Sequence, residues 1–261
     1  MVTPHEELTE ILRQGGIEDA ELEAKWILED IDNFETAREI AKRRANREPL
    51  QYLLGAWEFF GMKMLVGDGV LIPRADTETL VEAVLERIPN GKPCKGIDLC
   101  TGSGCIALAL RQNRPQMEIC GLDLSEQALS YAKKNAHLHG LNVPMLQCDV
   151  CDVSVAAAYR DLDVIVSNPP YLTAEDMENL QTEVTYEPRT ALDGGADGLD
   201  FYRTITECWR TSLKTGGMLA FEVGIHQAMD VSEILEQRGF TNVQRIPDLN
   251  GIDRVVLGYL T

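Results

Sequence analysis

The stretch Ile97-Asp-Leu-Cys-Thr-Gly-Ser-Gly104 decides the fold of this chain. It passes from a short strand pattern into a glycine-rich turn, and the apolar run Cys105-Ile-Ala-Leu-Ala-Leu110 then predicts a helix. A glycine-rich turn between a strand and a helix lets a ligand approach the backbone closely. The G-x-G-x-x-G spacing of dinucleotide-binding turns fails after Gly104, and no Gly-Lys-Ser/Thr of a phosphate-binding loop follows. The turn therefore favours a nucleoside ligand over one held by its pyrophosphate.

Strand and helix patterns alternate from residue 95 onward. This alternation predicts an α/β fold with a mostly parallel sheet and helices on both faces. The last two strands are joined only by the short segment 247–252, which favours an antiparallel pair at the C-terminal end of the sheet. A helix before the sheet is predicted to begin with a cap at Asp76 or Thr77 and to run to about residue 88. The predicted strands are 95–99, 117–122, 143–148, 163–167, 217–223, 241–246 and 253–259, and the predicted helices are 104–113, 125–139, 199–213 and 227–238.

Residues 4 to about 54 have a helical pattern and few strand signals. Apolar residues recur there at helical spacing, and Asp19 and Asn33 are predicted to begin the second and third helices. A bundle of about 50 residues is only marginally stable by itself, so we expect it to dock on its neighbour. Two strand patterns follow at 57–60 and 63–66, and they predict a β-hairpin.

Acidic residues follow two of the predicted strands. Asp123 ends the second strand, where an acid in such a fold accepts hydrogen bonds from the ribose hydroxyls of a nucleoside. Asp149 follows the third strand, where its carboxyl group can accept from an exocyclic amine such as adenine N6. Each acid has a second interpretation, since Asp123 with Ser125 can cap the following helix and Asp149 can cap a helix or a turn.

The sequence Asn168-Pro-Pro-Tyr171 follows the apolar strand pattern Asp163-Val-Ile-Val-Ser167. A polar side chain there lies past the carboxyl end of a buried strand, where open α/β sheets bind ligands. Prolines fix the backbone and remove its N–H donors, which leaves the local carbonyls as free acceptors. Asn168 Oδ1 and the Pro169 carbonyl are then placed to accept the two hydrogens of a planar NH₂ group, with Tyr171 stacked on it. The alternative is a turn, since Asn-Pro and Pro-Pro dipeptides mark turns.

Charge and composition disfavour several classes of function. The net charge of −18 repels phosphate backbones and acidic lipids, and the one candidate basic patch, Arg38–Arg47, is more typical of a solvated helix face.

No apolar run approaches membrane-spanning length, and the first residues lack the features of a signal peptide. The pair Cys148 and Cys151 has C-x-x-C spacing without the second pair that a zinc site needs. We expect a cytoplasmic protein with reduced cysteines, no metal, no membrane association and no direct nucleic-acid partner.

A glycine turn, a ribose-binding acid and an NH₂ clamp together favour S-adenosyl-L-methionine as cofactor and methyl transfer to an amide or amine nitrogen. At these motifs the sequence resembles the Rossmann-like class I methyltransferases. More narrowly, it resembles the HemK/PrmC family, which methylates the side-chain amide of the glutamine in the Gly-Gly-Gln motif of peptide chain release factors. The resemblance covers nearly the whole chain, at Pro49-Leu-Gln-Tyr-Leu-Leu-Gly55, Val70-Leu-Ile-Pro-Arg-Ala-Asp-Thr-Glu78, Asp98–Gly104, Ser167–Tyr171, Tyr186-Glu-Pro-Arg-Thr-Ala-Leu192, Gly194–Leu199, Gly217 and Glu222-Val-Gly224.

The resemblance implies a helical N-terminal substrate-recognition domain at 1–55, a β-hairpin linker at 56–75 and an S-adenosyl-methionine-dependent methyltransferase domain at 76–261. Ala75 stands where the family usually has a second proline, and Val150 stands where some members carry an aromatic residue against the adenine. The implied cofactor contacts are Cys100, Thr101, Gly102, Ser103, Gly104, Asp123, Leu124, Asp149, Val150 and Asn168. The implied substrate contacts are Asn168, Pro169, Pro170, Tyr171, Arg74 and Glu187, of which Asn168, Pro169 and Tyr171 are catalytic.

Three charged residues have two interpretations each. Glu187 and Arg189, beside Pro188, either line the peptide cleft or form an ion pair that stabilises a loop. Glu222 is predicted to hold the far edge of the sheet or a nearby loop rather than to act as a base.

Alternative functions stay open at this point. A glutamine methyltransferase of another protein, such as a ribosomal protein, would use the same catalytic residues. An adenine-N6 methyltransferase of nucleic acid also fits the Asn-Pro-Pro-Tyr motif, although the acidic charge disfavours it. A third alternative is a nucleoside-binding protein without enzymatic activity. Such a protein would be expected to have lost characteristic residues of these motifs, yet the sequence retains Gly102, Gly104, Asp123 and Asn168.

Overall fold

In the computed structural model, which describes residues 2–261, strands and helices follow one another as the pattern predicts. The strands are β1 (Ala56–Phe59), β2 (Met62–Leu65), β3 (Cys94–Leu99), β4 (Met117–Asp123), β5 (Met145–Gln147), β6 (Leu162–Ser167), β7 (Leu213–Glu222), β8 (Phe240–Pro247) and β9 (Asp253–Leu260). The α-helices are α1 (Pro4–Gln14), α2 (Ala20–Asp30), α3 (Phe34–Ala45), α4 (Leu50–Leu54), α5 (Ala75–Arg87), α6 (Cys105–Asn113), α7 (Glu126–Leu138), α8 (Val153–Ala156), α9 (Ala174–Glu178), α10 (Asp200–Trp209) and α11 (Ala228–Gln237). Short 3₁₀ helices lie at Thr182–Tyr186, Arg189–Ala191 and Arg210–Ser212.

Strands β3 to β9 form one sheet in the order β5-β4-β3-β6-β7-β9-β8. Neighbours from β5 to β7 pair in parallel, whereas β9 pairs antiparallel with both β7 and β8. The predicted α/β fold with an antiparallel C-terminal strand pair is confirmed. The strand order reverses between β3 and β6, and open α/β sheets bind ligands at the carboxyl ends of the strands beside such a reversal.

Helices cover both faces of this sheet. Val164 and Val166 of β6 pack into the core cluster that includes α5 and α6, whereas Ile165 packs on the opposite face with Trp209 of α10. Successive side chains of a strand point to opposite faces, so a strand covered on both sides needs an uninterrupted apolar run. The apolar run after Asp163 is therefore the pattern of a central strand.

Element boundaries differ from the predicted ones where the local composition is ambiguous. Helix α10 ends at Trp209 and a 3₁₀ turn follows, while β7 begins at Leu213 instead of 217. The first part of β7, Lys214–Gly216, is exposed and lacks an apolar alternation, so the pattern did not reveal it. Strand β5 is only three residues long, with Pro144 directly before it.

The N-terminal helices α1 to α4 form their own small core, and an ion-pair cluster ties them to the rest of the chain. Asn33 begins α3 as predicted and accepts from the Thr36 backbone N–H at 3.0 Å. The Arg44 side chain is nearly buried and pairs with Glu23 at 2.7 Å and with Glu183, from the 3₁₀ turn after α9, at 3.0 Å. The expected docking of the helical bundle on its neighbour is thus visible as a contact between α3 and the 3₁₀ segment.

The basic patch Arg38–Arg47 is neutralised by neighbouring carboxylates. Every cation in it contacts at least one acid: Arg38 pairs with Glu7 and Glu35, Lys42 with Glu39, Arg43 with Glu48, Arg44 with Glu23 and Glu183, and Arg47 with Glu183. A surface that binds phosphates needs free positive charge. This patch therefore offers little of the electrostatic footprint that nucleic acid requires.

Candidate active site

A cavity of about 520 Å³ opens at the carboxyl ends of β3, β4 and β6. It brings together most of the residues that the sequence singled out for a cofactor. Those in its wall are Cys100, Thr101, Gly102, Ser103, Asp123, Leu124, Asp149, Val150 and Asn168. Gly104 does not line the cavity and instead begins α6 with a φ of 83°, where a Cβ would lie 3.0 Å from the Met145 side chain. Its positive φ turns the chain into α6, and its lack of a side chain permits this close packing.

The Asp98 side chain holds the glycine-rich turn in place through hydrogen bonds in the protein interior. This fully buried carboxylate accepts from Thr101 Oγ1 at 2.5 Å and from the Ala107 backbone N–H at 3.2 Å. Burial raises its pKa to about 7, although both hydrogen bonds oppose the shift. The acid at the end of β3 thus fixes the shape of the turn, which leaves the backbone of residues 100–103 facing the cavity.

Asp123 lies at the end of β4 and joins the turn to the next helix. Its Oδ2 accepts from the Gly102 backbone N–H at 2.8 Å, and its Oδ1 accepts from the Ser125 N–H at 2.9 Å. Ser125 itself caps α7 through a bond from the Ala128 N–H at 3.1 Å. Burial raises the pKa of Asp123, and the backbone hydrogen bonds oppose that rise. Each oxygen keeps a further lone pair, so the carboxylate remains able to accept from a ligand.

Asp149 closes a turn, which confirms one of its two interpretations, and it also lies in the wall of the cavity. Its Oδ1 accepts from the Cys151 backbone N–H at 2.8 Å. The adjacent Val150 and Leu124 supply apolar wall. This combination of one acceptor and apolar flanks suits an aromatic base that carries an amine.

Asn168 stands where the carboxyl end of β6 meets the cavity, and its amide contacts Thr77 of α5. Asn168 Nδ2 donates to Thr77 Oγ1 at 3.2 Å. The predicted helix cap at Asp76 or Thr77 is wrong, because α5 begins at Ala75 without a side-chain cap. Asp76 instead pairs with Arg254 at 3.0 Å, and Thr77 turns inward toward Asn168.

Glu222 ends β7 and lies beside this pair, only 2% exposed. Of its two predicted places, the far edge of the sheet is wrong, since β7 is an inner strand between β6 and β9. Glu222 instead lies beside Asn168, which begins the loop that follows β6. Burial raises its pKa to about 7, while the neighbouring polar side chains of Thr77 and Asn168 and the charge of Arg254 oppose the shift. The other titratable groups that face it are Asp76, Tyr171, Tyr202 and Cys105.

The raised pKa of Glu222 predicts a pH-dependent cost in stability. Between the ordinary value of 4.5 and about 7, the folded protein holds a proton that the unfolded chain has released. The free energy of unfolding therefore falls as pH rises through this window, and the full contribution is present only below 4.5. In Glu222→Gln this titration is removed, so we expect the stability of wild type relative to this variant to fall by up to about 1.4 kcal/mol per pH unit.

Urea unfolding of both proteins between pH 4.5 and 8 measures this difference. The exposed substitution Glu233→Gln is the control, and its difference from wild type should stay flat. A pH-independent gap between wild type and Glu222→Gln would contradict the burial argument.

A second cavity of about 330 Å³ meets the first at four residues, which are Leu71, Arg74, Asn168 and Ala191. Tyr171 lines this second cavity, and its backbone carbonyl accepts from Gln227 Nε2 at 2.9 Å. Gly194 packs against it so closely that a Cβ would come within 2.7 Å of Tyr171 Cα. Pro170 lines the first cavity, whereas Pro169 is buried and lines neither. Asn168 therefore stands at the junction of two connected spaces.

Glu187 supports this junction from outside it. The side chain is nearly buried, lines neither cavity, accepts from the Ile72 backbone N–H at 2.9 Å and forms an ion pair with Arg74. Of the two interpretations, the ion pair that stabilises a loop is the one observed, but Glu187 and Arg189 do not pair with each other: Glu187 pairs with Arg74, and Arg189 pairs with Asp193 at 3.8 Å. Glu187 thus anchors the segment 72–74, whose Arg74 lines both cavities.

Several wall residues were missed by the sequence reasoning. Leu71 and Thr77 lie in the segment 70–78, whose resemblance to the family was a usable signal for them. The sequence predicts Cys151 only as a reduced cysteine with no site role, and Phe201 is hidden in the apolar pattern of α10.

Comparisons with known proteins give consistent results. A family model described as "Methyltransferase small domain" matches residues 75–197. The release factor glutamine methyltransferase of Geobacter sulfurreducens is 42% identical, covering 95% of this chain and 92% of its own. The protein of the same name from Moorella thermoacetica is 39% identical, covering 95% and 94%. A solved methyltransferase structure from Pyrococcus furiosus shares the fold with a TM-score of 0.55 at 16% identity, covering 77% of this chain and 90% of its own. Within residues 2–261, no helix is long and apolar enough to cross a membrane.

Proposed function

The chain belongs to the family of release factor glutamine methyltransferases, and we propose that it transfers a methyl group from S-adenosyl-L-methionine to the side-chain amide nitrogen of the glutamine in the Gly-Gly-Gln motif of a peptide chain release factor. The observation that carries this proposal is the position of Asn168 at the junction of two cavities. One cavity has hydrogen-bond acceptors suited to a nucleoside, Asp123 and Asp149, and the other is open to a second reactant. A transfer between two bound molecules needs this arrangement.

The larger cavity suits adenosyl-methionine by its chemistry. Asp123 would accept from the ribose hydroxyls, Asp149 would accept from the adenine amine, and Leu124 and Val150 would flank the ring. Val150 would offer apolar contact to the ring without aromatic stacking. Bound there, the cofactor supplies an activated methyl group on a sulfonium.

The smaller cavity would receive the glutamine side chain. Leu71, Leu172 and Leu180 give it apolar walls, and Tyr171 and Arg74 lie near the mouth of the junction. Apolar walls reduce the water around the reacting groups, which favours a transfer that converts the charged sulfonium into a neutral thioether. The methylated amide becomes neutral by releasing one of its two N–H protons to solvent. Arg74 is held by Glu187, so its place beside the junction is fixed before a substrate enters.

The residues of the Asn-Pro-Pro-Tyr motif act by placement. An amide nitrogen is a poor nucleophile because its lone pair is delocalised into the carbonyl. Asn168 Oδ1 would accept one N–H group of the glutamine, which directs the lone pair toward the methyl group. The Pro169 carbonyl is the second expected acceptor, although Pro169 is buried and lines neither cavity. Tyr171 would stack on the planar amide. Such positioning contributes roughly 7–11 kcal/mol to lowering a barrier in favourable cases.

Two other substrates remain as outcomes of the test. Another protein's glutamine would use the same residues. An adenine of nucleic acid is disfavoured by the net charge of −18 and by the carboxylates that neutralise the Arg38–Arg47 patch. The enzyme would act in the cytoplasm, where release factors meet the ribosome. Its seven free cysteines would stay reduced there.

The deciding experiment supplies adenosyl-methionine with unmethylated release factor, ribosomal proteins, DNA or ribosomal RNA in separate reactions. Mass spectrometry of the release factor should find one added methyl group on the Gly-Gly-Gln peptide. A release factor with that glutamine replaced by alanine is the control and should gain none. Methylation confined to ribosomal proteins or to nucleic acid would overturn the proposed substrate.

A further inference from the structure

The amide of Asn168 works in only one of its two orientations. A half-turn about the last side-chain bond exchanges the carbonyl oxygen, which accepts hydrogen bonds, with the NH₂ group, which donates them. The two orientations have nearly the same shape, so packing does little to separate them. Only the orientation with Oδ1 toward the smaller cavity offers an acceptor to a substrate NH₂ group. Something in the fold must therefore select that orientation.

Three residues from distant parts of the chain meet at this point. The register of β6 and β7 pairs Ser167 with Phe221, so the next residues, Asn168 and Glu222, lie side by side at the carboxyl ends of the strands. Helix α5 brings Thr77 onto them, and Asn168 Nδ2 donates to Thr77 Oγ1 at 3.2 Å. Thr77 and Glu222 are each only 2% exposed, so water does not compete for these bonds.

A threonine hydroxyl cannot select the orientation by itself, because it both donates and accepts. The pKa of Glu222 is raised to about 7, so above that pH its carboxyl group is ionised and only accepts hydrogen bonds. It lies beside Asn168, and within residues 2–261 its Oε2 has no hydrogen-bond partner, so it needs a donor such as the Thr77 hydroxyl. Once the Thr77 hydrogen points at Glu222, the lone pairs of Thr77 Oγ1 are left to face Asn168. Only the NH₂ group of Asn168 can satisfy them.

We propose that Thr77 and Glu222 are positioning residues, in which Glu222 sets the direction of the Thr77 hydroxyl and Thr77 holds the Asn168 amide with Oδ1 toward the substrate. This rests on the proposed function of Asn168. Neither residue touches the substrate, since Glu222 lines neither cavity and Thr77 lies on the cofactor side of Asn168. The role concerns the rate of the transfer step rather than the binding of either reactant.

Two matched pairs of variants test the proposal. Thr77→Val keeps the branched shape and removes the hydroxyl, whereas Thr77→Ser keeps the hydroxyl. Glu222→Leu removes the acceptor, whereas Glu222→Gln keeps an acceptor oxygen. In release-factor methylation we expect kcat to fall about 10- to 100-fold in Thr77→Val and in Glu222→Leu, which is the size of effect typical of a lost buried hydrogen bond. Thr77→Ser and Glu222→Gln should keep kcat within about threefold of wild type, and KM for the release factor should change little throughout.

A second readout does not depend on the substrate. In two-dimensional ¹⁵N NMR spectra, the side-chain NH₂ signals of Asn168 are assigned by their loss in Asn168→Ala. The hydrogens of these signals should exchange slowly with solvent in wild type and in Thr77→Ser, and rapidly in Thr77→Val.

An unchanged kcat together with unchanged hydrogen exchange in Thr77→Val would overturn the proposal. An equal loss of kcat in the serine and valine variants would overturn it as well. If Thr77→Val does not fold, the Glu222 pair decides by the same criteria. A wild-type enzyme that methylates no release factor would instead overturn the proposed function, and the exchange measurement would still decide the orientation.

Discussion

Asn168→Ala is expected to reduce turnover by about 10²–10³-fold, the range seen when one preorganised hydrogen-bonding group is removed from a reacting centre. The variant loses the oxygen that would hold the glutamine NH₂ group, while the wall of the cofactor cavity is otherwise kept. Its affinity for adenosyl-methionine should therefore stay within a few-fold of wild type. Single-turnover methylation of the release factor and calorimetric titration of the cofactor measure the two quantities separately.

A matched control for this variant is Asn142→Ala, which changes an exposed asparagine remote from both cavities. It should leave turnover and affinity unchanged. Turnover that survives in Asn168→Ala would show that the substrate amide is held by other groups, and the clamp would have to be abandoned. A large loss of cofactor affinity would point to a cofactor-binding role instead.

Asp123→Asn is expected to weaken adenosyl-methionine binding by at least about tenfold, because hydrogen bonds to a charged acceptor contribute about 1.5–3 kcal/mol each. The substitution keeps the shape and one acceptor oxygen but removes the charge. One amide NH₂ group would also face a backbone N–H, either of Gly102 at 2.8 Å or of Ser125 at 2.9 Å, and two donors repel each other. The glycine-rich turn should loosen together with the ribose contact.

Calorimetry at fixed temperature measures the affinity, and the exposed substitution Asp230→Asn serves as control. At saturating cofactor, Asp123→Asn should recover most of its turnover, since the residue contributes to binding and not to the transfer. An affinity equal to wild type would contradict the ribose role. A turnover that stays low at saturation would show that the turn also orients the methyl donor.

Together these variants separate the two halves of the site. Asn168 is expected to affect turnover and spare affinity, whereas Asp123 is expected to affect affinity and spare turnover. The separation follows from the fold, because Asp123 ends β4 and Asn168 directly follows β6, and β3 lies between these two strands. If both variants lost turnover and cofactor affinity together, the result would indicate that the carboxyl edge of the sheet is disrupted as a whole.

The parts of the fold that the sequence predicted are those with local signals. The alternation of strands and helices, the glycine-rich turn after β3 and the position of Asp123 depend on residues close together in the chain. A short connection was enough to predict the antiparallel pairing of β8 and β9. The predicted boundaries were wrong where apolar and polar residues are mixed, as in the exposed start of β7. The predicted role was wrong where a side chain could either cap a helix or form a tertiary contact, as for Thr77.

Thr77 and Glu222 illustrate what only the tertiary structure decided. By itself, Thr77 near the start of a helix is a good candidate for a cap, and Glu222 at the end of a strand has no local partner. Their roles come from the parallel register of β6 and β7 and from the packing of α5, which join residues 77, 168 and 222. The sequence determined which side chains lie at the carboxyl edge of the sheet, because the pattern that marks where a strand ends is local. Tertiary structure decided which of them share hydrogen bonds, because burial leaves a polar side chain only the partners that the fold brings to it.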